Sequence, residues 1–114
     1  MQALINITNQ IIADQVTAAV EGGSNYWIKR FTYLKGTDLL EQPAYADPQY
    51  YEWEGDWFEI QDEDGCYKLN AETAQRGFNR LPSKRLVRIL NQDADAEDAD
   101  VWLQLALLGD IVYG

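Results

Sequence analysis

The chain has 114 residues, of which 46% are hydrophobic and 12% aromatic, so one compact core is expected and a second domain has no room. We therefore expect a single domain over residues 1–114. Nineteen acidic residues against nine basic ones give a formal net charge of -10 at pH 7, which argues against direct binding to nucleic acid, because neutralising phosphates requires clustered Lys and Arg.

The first predicted elements are a strand and a helix. Residues 2–7 alternate loosely, as a strand would, and Thr8 or Asn9 can cap a following helix. Apolar residues then recur at four-residue spacing, which is typical of a helix with one buried face. Gly22 and Gly23 are expected to end this helix as a left-handed cap.

The next segments are less regular. The run 26–34 is aromatic and β-branched, and it favours a strand over a short second helix, although both stay open. Residues 36–49 contain one glycine and two prolines and are expected to form a loop.

A β-hairpin is the clearest local prediction. Apolar runs at 57–60 and 66–69 flank Asp64 and Gly65, a pair that tolerates the positive backbone angles of a tight turn. These elements predict the α+β class, with a hairpin or small antiparallel sheet packed against about three to four helices.

Helices are predicted on both sides of Pro82. Asn70 can cap a helix over 71–80, and a basic amphipathic turn follows the proline. A last helix is expected to start near Asp95, because acids in the first turn favour the helix dipole.

The run 101–108 of the last helix is apolar on more than one face, and Gly109 ends it. A short strand over 111–113 would then return to the sheet. A small domain buries such a helix only partly unless the helix is central, so we predict a homo-oligomer.

Charge is divided into blocks, with acids at 52–64 and 93–100 and a basic segment between them. The basic residues can pair with acids in the fold, and the acids can simply confer solubility. As candidates for binding a basic partner we take the following acids: Glu52, Glu54, Asp56, Glu59, Asp62, Glu63, Asp64, Asp93, Asp95, Glu97 and Asp98.

Four aromatic residues interleave with the first acidic block: Tyr50, Tyr51, Trp53 and Trp57. On a strand, this alternation would place the aromatic rings on one face and the carboxylates on the other. Such a face would either belong to the core or form an interface with a partner.

Catalysis is the least supported class of function, and no catalytic residue is assigned. The chain has no histidine, and Ser24 and Ser83 lie outside any nucleophile-elbow pattern. Glu52, Glu54 and Asp56 could in principle supply a glycosidase carboxylate pair, but acidic surface strands are far more common. No cofactor is expected.

Asp93, Asp95 and Glu97 alternate as at the start of a calcium-binding loop. The pattern then fails, because Asp98 replaces the required glycine and Gln104 replaces the bidentate glutamate. The acids are better explained as a helix N-terminus, and no metal site is predicted.

Two stretches resemble, as a pair, a family of small phage and prophage proteins of uncharacterised function. They are an EGG-x-x-YW element at 21–27, and the run 95–104 that continues to a terminal VYG at 112–114. The match covers the two ends of the chain and part of its middle. The resemblance implies a phage origin and a cytoplasmic site of action in an infected bacterium, and Cys66, as a single cysteine, fits a reducing compartment.

Three functions follow as hypotheses. The first is an accessory protein that inhibits a host defence or nucleic-acid-binding protein by presenting acids where DNA phosphates would lie. The second is a protein that sequesters a small nucleotide signalling ligand. The third is a virion assembly component. A nucleotide would be bound by these residues: Glu21, Gly22, Gly23, Tyr26, Trp27, Arg76, Arg80 and Arg85. No membrane partner is expected, because no apolar run reaches the roughly 20 residues that span a bilayer.

Overall fold

A computed structural model describes residues 7–36 and 43–114. These residues form an α+β domain, as predicted, in which no helix of the described ranges is long and apolar enough to cross a membrane. Residues 2–6 of the first predicted strand, and part of the predicted loop at 36–49, lie outside the described residues. The helices are α1 Asn9–Ala18, α2 Ala71–Arg80, α3 Ser83–Leu90 and α4 Ala96–Leu107, and the strands are β1 Arg30–Tyr33, β2 Phe58–Gln61 and β3 Cys66–Leu69.

The strands form an antiparallel sheet in the order β1-β2-β3. Tyr33, Phe58 and Leu69 occupy one rung of the face that meets the core, whereas Glu59 and Lys68 pair on the outer face. The predicted hairpin and the strand favoured within 26–34 are thus confirmed. The outer face carries side chains of both charges, so it is not a purely acidic surface.

The turn of the hairpin differs from the one predicted. Asp64 and Gly65 do not have positive φ angles, which among the described residues occur at Gly55, Gln92 and Gly109. Instead, Asp62 Oδ1 accepts hydrogen bonds from the backbone amides of Asp64 and Gly65, each at 2.8 Å. A carboxylate, rather than glycine conformation, therefore shapes the turn.

Side-chain caps start three of the helices where the sequence placed them. Thr8 accepts a hydrogen bond from the Ile11 amide, and Asn70 accepts one from the Thr73 amide in a reciprocal capping box. Asp95 caps α4 in the same way. Each cap satisfies amides that the helix itself leaves free.

α1 does not end in a left-handed glycine cap. It continues into a π-helical turn, Ala19–Gly23, in which neither Gly22 nor Gly23 has a positive φ. Gly23 is needed for a different reason, because a Cβ there would lie 2.2 Å from the carbonyl oxygen of Ala96. The glycine lets the turn touch the N-terminus of α4.

α4 is the centre of the domain. Every residue from Asp98 to Leu107 is buried, and α1, α2 and the π-helical turn pack around it. Of the two alternatives that the sequence left open, the structure shows the one in which the helix is central and is buried within one chain. The predicted self-association loses this reason, and light scattering at two salt concentrations would test the oligomeric state.

The aromatic residues before β2 belong to the core and do not form an exposed face. Tyr50 and Tyr51 lie buried in a 3-10 helix, Pro48–Glu52, and Trp57 is also buried. Only Trp53 of this group is partly exposed. The predicted strand with one acidic and one aromatic face is therefore wrong.

Candidate functional site

A buried carboxylate on α4 ties the start of the chain to its central helix. Asp100 is 6% exposed, and its Oδ1 accepts hydrogen bonds from Ser24 Oγ and Trp27 Nε1, both at 2.7 Å. Its Oδ2 accepts from Tyr26 Oη at 2.6 Å and from Gln104 Nε2 at 3.2 Å. All four donors are neutral, and none of the basic residues in the described ranges forms an ion pair with Asp100.

The π-helical turn positions three of these donors. The Ser24 amide donates to the Ala19 carbonyl, and the amides of Trp27 and Ile28 donate back to the Ser24 carbonyl. This tight turn, pressed against α4 at Gly23, aims the side chains of residues 24, 26 and 27 at one carboxylate.

Gln104, one turn after Asp100, holds the segment that was predicted as a terminal strand. Its Oε1 accepts hydrogen bonds from the amides of Val112 and Tyr113, both at 2.8 Å, and its Nε2 donates to the Tyr113 carbonyl at 3.1 Å. A side-chain amide thus replaces a strand partner. The strand prediction at 111–113 was wrong for this reason.

Tyr113 closes the cluster. Its ring stacks on Trp27 with centroids 5.4 Å apart, and its hydroxyl donates to Asp62 Oδ2 at 2.8 Å. That hydrogen bond, burial, and the charges of Asp62, Asp64 and Glu63 raise the pKa of Tyr113 to about 12. The acidic hairpin turn therefore lies beside the same site as α4.

A pocket of about 550 Å³ opens at this cluster, and we call it the Asp100 pocket. Its wall residues include Gly23, Tyr26, Arg85, Glu97 and Asp100. Tyr26 is 55% exposed, so part of its ring faces solvent at the mouth. The two stretches at 21–27 and 95–114 meet here.

Beside the Asp100 pocket, α3 is fastened to α4 by a second buried carboxylate. Asp98 is fully buried, and it accepts hydrogen bonds from Arg85 at 2.7 Å and from Arg88 at 2.6 and 2.8 Å. The hydrogen bond from Arg88 and that from Arg85 outweigh burial and hold the pKa of Asp98 far below its usual range. Arg85 also reaches Glu97 at 3.2 Å.

The structure separates the predicted acids by exposure. Asp62 and Asp98 are buried and bonded within the chain, so their prediction as partner-binding residues was wrong. Burial by itself would raise the pKa of Asp62, but hydrogen bonds from Tyr113, Asp64 and Gly65 lower it. Asp56 and Glu59 are half-buried, and the exposed acids are Glu52, Glu54, Glu63, Asp64, Asp93, Asp95 and Glu97.

The residues predicted to bind a nucleotide are only partly brought together. Gly23, Tyr26 and Arg85 line the Asp100 pocket. Glu21 instead accepts a hydrogen bond from the Tyr45 hydroxyl at 2.6 Å, and Gly22 does not line the pocket.

The other predicted ligand residues serve the fold. Trp27 is buried and covered by a stacked ring, so it cannot stack on a base. Arg76 donates to the Ala106 carbonyl and Arg80 to the Gly109 carbonyl, which are acceptors at the C-terminus of α4. A cation there favours the helix dipole and leaves fewer donors for a phosphate.

Sequence reasoning missed Asp100, Gln104 and Tyr113 as site residues. One signal was present, because a helix that is apolar on all faces is buried, and buried polar side chains within it must have hydrogen-bond partners. Asp100 and Gln104 are such residues, four positions apart on one face of α4.

We expect Tyr26→Phe to lower the free energy of unfolding by about 1 kcal/mol. The substitution removes the hydrogen bond from the Tyr26 hydroxyl to the charged Asp100, and the partial exposure of Tyr26 limits the loss. Burial and Asp100 raise the pKa of Tyr26 to about 12 from its ordinary 10.0. The raised pKa means that this contribution is complete below pH 10.0 and is lost as pH rises toward about 12. Urea unfolding at pH 8 and an ultraviolet titration of both proteins test this. The difference between the two titration curves reports Tyr26, and a difference centred near pH 10.0 would contradict the prediction.

The two stretches at 21–27 and 95–114 contact each other through Asp100. Their membership in a phage protein family stays an expectation from the resemblance. No family model matches the chain, and neither a curated protein nor a solved structure matches it.

Proposed function

We propose that this chain is a non-enzymatic binding protein that recognises a basic surface of a host protein. In the phage setting that the resemblance implies, the target would be a defence or nucleic-acid-binding protein, whose basic surface normally meets phosphates. Acids presented at a similar spacing attract such a surface and speed the encounter.

The proposal rests on Tyr113, which lines the Asp100 pocket and donates a hydrogen bond to Asp62 of the acidic hairpin turn. Glu63 and Asp64 follow Asp62 in that turn, and α4 contributes Glu97 and Asp100 to the pocket wall. Two carboxylates therefore line the pocket against one guanidinium, that of Arg85, which already pairs with Asp98. The local charge remains negative, as a basic partner requires.

Sequestration of a nucleotide has less support. A phosphate in the Asp100 pocket would meet Glu97 and Asp100, and Arg85 would have to give up Glu97 to bind it. Arg76 and Arg80 bond to backbone carbonyls elsewhere. A nucleotide that raises Tm at millimolar concentration would nevertheless favour this second function, because a ligand of the native state stabilises it.

Affinity capture from bacterial lysate tests the proposal. The wild-type chain is expected to retain a basic protein at low salt and to release it as salt screens the contact. The double variant Glu63→Gln with Asp64→Asn should bind the captured protein roughly five- to tenfold more weakly, mainly through slower association.

The matched control is Asp14→Asn with Glu72→Gln, which removes the same charge from exposed positions on α1 and α2. It should change the affinity by less than about twofold, the effect of distant screened charges. Capture of no basic protein at low salt, or equal losses in both variants, would contradict the proposal.

A further inference from the structure

The carboxylate of Asp100 is hydrogen-bonded but forms no ion pair within the described residues. A buried carboxylate is costly unless it is hydrogen-bonded and its charge is balanced. Four neutral donors satisfy its oxygens, but no described basic side chain neutralises its charge. The negative potential of Asp100 therefore extends into the pocket that it lines.

The rest of the wall suits an organic cation. The exposed part of the Tyr26 ring offers a π face, and the Glu97 side chain, 71% exposed, lies at the rim as a hydrogen-bond acceptor. Ile111, which is 50% exposed, adds an apolar wall for a methylene stem. A volume of about 550 Å³ is ample for one long side chain.

We propose that the Asp100 pocket receives a single arginine or lysine side chain from the basic partner. The cationic head lies between Tyr26 and Glu97 in the field of Asp100, and the stem contacts Ile111. This inference rests on the proposed function and adds to it the place where the partner is anchored. Arg85 does not prevent entry, because Asp98 holds its guanidinium and only the Oε1 atom of Glu97 accepts from it, which leaves Glu97 Oε2 for the incoming cation.

The pocket is tested with N-acetyl-arginine N-methylamide followed by amide and indole nuclear magnetic resonance. The indole N–H of Trp27 bonds directly to Asp100, and the amides of Val112 and Tyr113 lie one residue further along the network. We expect these signals to shift and saturate. The neutral citrulline analogue should leave them unchanged.

Two variants locate the cation. Tyr26→Ala and Glu97→Gln should each weaken binding of the arginine derivative by roughly threefold or more, the size expected for an exposed cation–π or ionic contact. Glu72→Gln, an exposed acid on α2 away from the pocket, should not. Glu97→Gln keeps the test valid if Tyr26→Ala is poorly folded, because Glu97 lies on the surface.

A nine-residue arginine peptide separates this inference from the proposed function. Binding of the peptide with no shift at Trp27, Val112 and Tyr113 would overturn the pocket and leave the proposed function standing. Equal shifts with the citrulline analogue would also overturn the pocket, since charge would not be what it recognises. Absence of peptide binding at low salt would overturn both.

Discussion

Asp98→Asn is expected to lower the free energy of unfolding by about 3 kcal/mol, because removing one member of a buried ion pair costs about 3–5 kcal/mol and both arginines here retain some contact with water. Asp98 is fully buried, and it links Arg85 and Arg88 of α3 to the first turn of α4. It also accepts from the Asp95 amide in the capping box. Asparagine keeps the shape but loses the charge.

Urea unfolding at pH 7 measures this loss, with Asp93→Asn as the control. Asp93 is exposed and lies just before the same helix, so its variant should stay within about 0.5 kcal/mol of wild type. A loss below about 1 kcal/mol in Asp98→Asn, on the same scale as ordinary surface substitutions, would show that α3 is held by other contacts.

Protonation of Asp98 at low pH should destabilise the wild-type chain in the same way as the Asp98→Asn substitution. The folded pKa of Asp98 is depressed, so its contribution is complete above the unfolded value near 3.9 and is lost as pH falls toward the folded pKa. When the pH is lowered from 7 to below about 4, the free energy of unfolding should therefore fall less in Asp98→Asn than in the wild type.

Gly77→Ala is expected to destabilise the protein by about 2 kcal/mol, although alanine is favoured over glycine within a helix by about 1 kcal/mol. A Cβ at position 77 would lie 2.8 Å from the Ala106 Cβ and 2.9 Å from the Trp102 carbonyl oxygen. Both neighbours belong to the buried centre of α4. Because packed backbone cannot move aside easily, the clash outweighs the helix preference.

Gly22→Ala provides the matched control for Gly77→Ala. No atom lies within 4 Å of a Cβ at Gly22, and the residue is exposed. It should be neutral or slightly stabilising, by up to about 1 kcal/mol. Thermal unfolding of both variants measures the contrast, and a Gly77→Ala protein as stable as wild type would mean that α2 and α4 can separate without loss.

Local signals in the sequence were sufficient for α2, α4 and the hairpin. Asn70 and Asp95 each satisfy a backbone amide three positions away, so the caps are visible without the fold. The segment at 50–57 misled because aromatic and acidic residues interleave in it as they would on a strand. Asp47 accepts from the Gln49 amide and starts a 3-10 helix instead.

The site could not be predicted in the same way. Asp98 meets its arginines across 10 and 13 positions, Asp62 meets Tyr113 across 51, and Asp100 meets Ser24 across 76. Charge counting treats each of these acids as solvated, and no local pattern contains the partner. The apolar faces of α4 indicate that Asp100 is buried, but only the fold shows which distant side chains these acids meet.

These separations also bear on how the chain is made. Ser24, Tyr26 and Trp27 leave the ribosome 76, 74 and 73 residues before Asp100, which is roughly 4 to 15 s at 5–20 residues per second. During that interval the indole of Trp27 has neither its carboxylate acceptor nor its stacked tyrosine. Synthesis of the residues from Asp100 to Tyr113 therefore ends a period in which Trp27 lacks the partners that cover it in the folded domain.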